Sequence, residues 1–203
     1  MQQSLNPWIT RPAEDAAEAA PADRHVPPEA AISAPLRGMV EPDAADRLGR
    51  RTMSGSPILW ITGAHGGAGE SRIADLFDGA RPTGHCWPVL QNGSTPRVLV
   101  VCRADMRGLT AAQSALTQWA SGAAPGLDLL GLAVLADAPG KTPKALRDFA
   151  AIVGGGSPRL WTLPWVEAWR HGDTTTPPMG REYQRFINDL ASLATDSTPS
   201  TTH

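Results

Sequence analysis

Four glycines within seven residues, Gly63, Gly66, Gly67 and Gly69, are the densest chemical signal in the chain. They lie in ITGAHGGAGESRIADLF (61–77), behind an apolar run and ahead of a helix-forming stretch. Glycines in that setting let backbone N–H groups converge on a phosphate, and a helix N-terminus adds its dipole. Ala64-x-x-x-x-Gly69 has the spacing of a phosphate-cradling loop, with Ser71 where a magnesium-binding hydroxyl belongs. Glu70 stands where this chemistry wants a lysine. One unit charge at ~4 Å in an effective dielectric near 20 is worth about 4 kcal/mol. Exchanging attraction for repulsion therefore costs up to ~8 kcal/mol, the whole of a micromolar complex. His65 is a partial surrogate for a lysine when protonated.

Two acids compete for a magnesium ion beside that loop. Asp105 follows the apolar run RVLVVC in a D-x-x-G string, and Asp137 ends LLGLAVLAD ahead of a proline and a glycine. Capping a helix or a turn is the simpler role for both, because Asp before a turn glycine is ordinary loop chemistry. LPWVEAWRHG (163–172) gathers Trp165, Trp169 and Arg170, residue types that dominate binding hot spots. The two indoles, four residues apart, share one side of a short helix. Packing against a sheet edge is their competing role. Trp8, in LNPWITRP, is a second candidate for docking a protein partner. The histidines at 25, 65, 85, 171 and 203 have no metal-ligand spacing, and Cys86 and Cys102 make no disulfide framework. Neither a Ser-His-Asp order nor a pair of carboxylates supports acid–base hydrolysis.

The elements that must position these residues are legible as apolar runs. Strands are expected at Ile58–Thr62, Cys86–Leu90, Arg97–Cys102, Leu129–Ala136 and Arg159–Trp165. Helices are expected at Ser71–Phe77, Gly108–Ala120, Lys144–Val153 and Arg181–Ala194. Strands that are apolar throughout and alternate with helices imply a mostly parallel sheet covered on both faces, a compact doubly wound α/β domain at 57–194. Residues 1–56, rich in Pro, Ala and acids without periodicity, read as a disordered tail, and 195–203 as a second one.

Charge and composition exclude some functions. The tail holds eight acids against six arginines and the rest is balanced at 12 each, so no broad nucleic-acid face is expected. The chain offers no run of 18 apolar residues and no signal-peptide layout at its start, so no membrane span and a cytoplasmic location are expected. Sixteen arginines against two lysines fit GC-rich bacterial coding.

HGGAGES resembles the deviant phosphate-binding loop KGGxGK[ST] of the ParA/MinD partition and positioning ATPases, a branch of the P-loop NTPases. His65 takes the first lysine position, Gly66, Gly67 and Gly69 match, Glu70 replaces the second lysine, and Ser71 matches. GLAVLAD and RLWTLPW are similar to the closing strands of that family, whose loops surround the adenine, so the likeness covers residues 57–170. The resemblance implies a P-loop type of fold and a site for ATP or ADP with Mg2+. His65, Gly66, Gly67, Gly69 and Ser71 would meet the phosphates, Ser71 the metal, and Asp137 the metal or base; Asp105 and Asp137 remain alternatives for the magnesium acid. It also implies a protein partner, a related ATPase or a second copy of the chain as a dimer, and work in partitioning, positioning or DNA transfer.

With both lysines absent, weak or absent nucleotide binding and no efficient hydrolysis are expected, since no loop cation neutralises transition-state charge. Only nineteen residues separate Phe77 from Arg97, room for one short strand and no helix. The region where that family places its nucleotide-responsive switches is thus cut down. The alternative, of another class, is a non-enzymatic adaptor that keeps the fold as a scaffold. It would meet partners through the N-terminal tail, with Trp8, and through the Trp165–Arg170 patch.

Overall fold

The computed structural model describes residues 35–36, 38–124, 126–173 and 180–195. Trp8 and most of the expected N-terminal tail lie outside the described residues, as does 196–203 of the expected C-terminal one. After a single 3-10 turn at Ala44–Asp46 come β1 (Gly49–Met53), β2 (Leu59–Gly63), α1 (Glu70–Ala74), β3 (Ala80–Pro82), β4 (Cys86–Leu90) and β5 (Arg97–Arg103). Then follow α2 (Met106–Ala120), β6 (Asp128–Leu135), α3 (Lys144–Gly154), β7 (Leu160–Leu163), α4 (Glu167–Arg170) and α5 (Arg181–Thr195). Five strands form one sheet in the order β3-β2-β5-β6-β7, parallel at every pairing.

The side-chain alternation of β5 explains the layers. Val98, Val100 and Cys102 point into a core shared with Leu109, Ala112, Leu116 and Trp119 of α2 and Val153 of α3. Leu99 and Val101 point the other way, against Ile73 of α1 and Phe186 and Leu190 of α5. A strand buried on both faces must be apolar at every position, and VLVVC is. The fold is α/β with a mostly parallel sheet and helices on both faces, as the sequence implies. From β2 the chain crosses through α1 to β3 on one side, whereas β5, β6 and β7 extend on the other. This reversal makes the carboxyl ends of β2 and β5 the switch point of the sheet, the place outside which open α/β sheets bind ligands.

Among the described residues, regular structure lies ahead of the expected boundary at Pro57. Gly49–Met53 runs parallel to β4, with Gly49 opposite Cys86 and Met53 opposite Leu90. The first four residues of β1 are exposed, so main-chain bonding holds it without an apolar pattern. Gln118 adds a tie from α2. Its Oε1 accepts from Leu48 N–H at 3.0 Å and Trp87 Nε1–H at 2.9 Å, and its Nε2 donates to the Leu48 carbonyl at 3.1 Å. Gln118→Leu leaves these partners unsatisfied, two of them donors. A loss of about 2 kcal/mol in urea-unfolding stability is expected, with the midpoint falling and the slope unchanged.

The region between Phe77 and Arg97 holds two short strands, β3 and β4, and no helix. Cys86 and Cys102 are buried free thiols. Burial pushes Cys102 up to about 12, with Asp105 adding to the shift. Burial also raises Cys86, so neither is a nucleophile at neutral pH. Among the described residues, no helix is long and apolar enough to cross a membrane.

Candidate functional site

At the carboxyl end of β2 the chain turns through residues 64–69 into α1. Gly67 (φ +81°) and Gly69 (φ +100°) take the left-handed conformation that side chains resist, and a Cβ on Gly69 would stand 2.8 Å from Leu135 Cδ2. The decisive side chain is Glu70. Its Oε2 accepts from Gly63 N–H at 2.8 Å and from His85 N–H at 3.2 Å. His85 itself is held at φ +39°, after Gly84 at φ +71°, so a strained turn delivers the second donor. The loop therefore contains an anion of its own making. The amides of Gly66, Gly67, Glu70 and Ser71 make no hydrogen bond among the described residues.

The residues expected at the phosphates are not all placed for that role. His65 Nε2 accepts from Arg103 N–H at 3.2 Å, and its Nδ1 lies 2.9 Å from the Gly66 carbonyl. Through these two contacts the ring bridges the loop to the end of β5. Ser71 is exposed in the first turn of α1. Asp105 caps α2, its Oδ1 accepting from Gly108 N–H at 2.6 Å. Asp105→Ala is expected to cost about 1 kcal/mol of thermal stability, the usual worth of an N-cap, with Asp105→Asn restoring most of it. Asp137 is exposed just beyond β6. Among the described residues no three His, Cys, Asp or Glu side chains gather where a metal ion would fit.

Beside the loop, Arg103 joins the site to a cavity. Its Nε donates to the Gly67 carbonyl at 3.3 Å and its Nη1 to the Ala136 carbonyl at 3.1 Å. The cavity, about 120 Å³, opens at the carboxyl ends of β6 and β7 and is lined by Arg72, Arg103, Arg170, Trp165, Trp169 and Tyr183, among others. Trp169 packs edge-on against Tyr183 at 5.7 Å, and the Tyr183 hydroxyl donates to the Pro164 carbonyl at 3.2 Å. Burial raises the Tyr183 phenol, with Arg103 pulling it partly back, so it stays a neutral donor. Trp165 Nε1–H donates to Glu167 Oε2 at 2.5 Å. The helix expected to align both indoles is α4, which contains Trp169 alone, yet both side chains reach the same cavity.

Fold and site together define a doubly wound α/β domain with a glycine loop at the carboxyl edge of a parallel sheet. Over residues 57–186 the chain matches the model described as "Family of unknown function (DUF6668)", and it belongs to that family. No curated protein and no solved structure matches it. Sequence reasoning singled out the loop and the Trp165–Arg170 patch but not Arg72, Arg103, His85 or Tyr183. Arg103 carried one usable signal: a charged residue closing an apolar strand sits at the sheet's ligand-binding edge.

Proposed function

We propose that this chain is a P-loop-type protein, similar to the ParA/MinD ATPases in the frame of its glycine loop, that acts by binding and not by hydrolysis. The observation that carries this reading is the carboxylate of Glu70 inside the loop, bonded to the amides of Gly63 and His85. It brings negative charge to the place where a γ-phosphate and its transition state need positive charge. His65 is committed to Arg103 N–H, and the one guanidinium bonded to the loop, that of Arg103, is tied to the Gly67 and Ala136 carbonyls, so no lysine-like cation takes the place that Glu70 occupies. The amides of Gly66, Gly67, Glu70 and Ser71, without a partner among the described residues, favour a residual, weak affinity for ATP or ADP with Mg2+, with Ser71 at the metal and Asp137 near metal or base. Its setting is partitioning, positioning or DNA transfer, beside a related ATPase or a second copy of itself.

A second reading, favoured by the arginine-lined cavity, is a non-enzymatic adaptor whose P-loop-like fold is a scaffold for protein contacts. Calorimetric titration of the full chain with ATP and ADP, with and without Mg2+, together with a phosphate-release assay, tests both. No turnover, and no saturation below about 100 μM, is expected. Turnover by the wild type removes both readings.

A further inference from the structure

We infer that the cavity between the carboxyl ends of β6 and β7 and helix α5 is an anchor site for an acidic side chain of a protein partner. The inference rests on the adaptor reading and gives it a chemistry. Three guanidinium groups, Arg72, Arg103 and Arg170, converge on one cavity. Among the described residues the one ion pair they make is Arg72 with Asp75, at a long 3.9 Å. Arg103 is tied by carbonyl oxygens of Gly67 and Ala136, which fix its direction and leave its charge uncompensated. Arg170 is exposed, and no hydrogen bond or ion pair holds it among the described residues. The nearby acid Glu167 is engaged elsewhere, its Oε2 accepting from Trp165 Nε1–H at 2.5 Å and its Oε1 lying 3.3 Å from His171 Nε2. Among the described residues its lining therefore carries three guanidinium groups and no carboxylate.

Size decides between a free ligand and a protein segment. A cavity of about 120 Å³ is well below the ~300–1,000 Å³ of sites that enclose whole small molecules. It takes one headgroup. Trp165 and Trp169, both half-buried, supply apolar walls for the methylene stem of such a group, and Tyr183 closes the inner end. A guanidinium fork on a carboxylate beside flat indoles is how protein interfaces anchor a glutamate or aspartate. Arg103 also touches the glycine loop, so an occupied cavity and the state of that loop share one side chain.

The test uses the full chain and follows the indole N–H resonances of Trp165 and Trp169, assigned by Trp165→Phe and Trp169→Phe. Blocked hexaglutamate, blocked hexalysine and inorganic phosphate are titrated at constant ionic strength. Hexaglutamate is expected to shift both resonances saturably, with about ten-fold weaker binding in Arg170→Glu, an exposed substitution that leaves the fold intact. Hexalysine is expected to shift neither. No shift with hexaglutamate, or an affinity unchanged in Arg170→Glu, overturns the inference. Phosphate moving both resonances as far as hexaglutamate does at matched charge also overturns it, by making the cavity a small-anion site. The adaptor reading fails separately, through ATP turnover.

Discussion

Glu70→Lys is expected to bind ATP with Mg2+ about 100-fold more tightly than the wild type in a calorimetric titration. Reversing a charge beside the phosphates changes the interaction by up to ~8 kcal/mol at ~4 Å and an effective dielectric near 20. Glu70 is only half-buried, and solvent screening cuts that figure to about 3 kcal/mol, or about two decades in affinity. The same substitution removes the acceptor of Gly63 N–H, at the buried end of β2, and of His85 N–H. Leaving those donors unpaired costs about 2 kcal/mol, so the unliganded variant melts below the wild type and ATP with Mg2+ restores the difference. Glu70→Gln separates the two effects. Its amide oxygen still accepts from Gly63 N–H, so its stability stays near that of the wild type, while loss of the charge brings part of the gain in affinity. Silence from both variants, each shown to be folded, would mean that the unpartnered amides do not converge on a phosphate.

How much of this was legible in the sequence follows from what each element depends on. β5 and β6 are buried on both faces, so their apolar runs announced them, and the stripe Leu109, Ala112, Leu116 and Trp119 did the same for α2. β1 and β3 are different. GRRTM is nearly all exposed and ARP holds a proline at an edge; each is a strand because a neighbour offers main-chain partners, which no local pattern records. The candidate site divides the same way. The glycine spacing and Glu70 at a lysine position were visible. That the Glu70 carboxylate also takes the N–H of His85 depends on the turn at Gly84 and His85, fifteen residues away and on another strand connection. The cavity was half visible, since Trp165, Trp169 and Arg170 are neighbours in the chain. Arg72, Arg103 and Tyr183 reach it from three separate elements, and only the strand order brings them together.

Gly108→Ala is expected to lower stability by about 3 kcal/mol, despite replacing glycine by the best helix former inside α2. In an exposed helix that exchange stabilises by about 1 kcal/mol. Here an added Cβ would lie 2.4 Å from the Arg103 carbonyl oxygen, 3.0 Å from Arg103 N and 2.9 Å from His65 Nε2. The first two contacts are backbone and cannot swing away. Relief requires the start of α2 to move off the end of β5, which strains the cap made by Asp105 and breaks the bond between Arg103 N–H and His65. Overpacking of this kind costs ~1–3 kcal/mol, and each lost hydrogen bond about 1 kcal/mol more, which outweighs the propensity gain. A fall in Tm of about 10 °C is expected by calorimetry. Gly66→Ala is the matched comparison inside the loop, where the nearest atom to an added Cβ is His85 Cε1 at 4.0 Å, an ordinary contact. That variant is expected to melt within about 2 °C of the wild type. Equal melting of the two variants would show that α2 does not press on β5 at Gly108. A selective loss in Gly108→Ala, with weaker hexaglutamate binding as Arg103 shifts, ties the helix start, the loop and the cavity to one arginine.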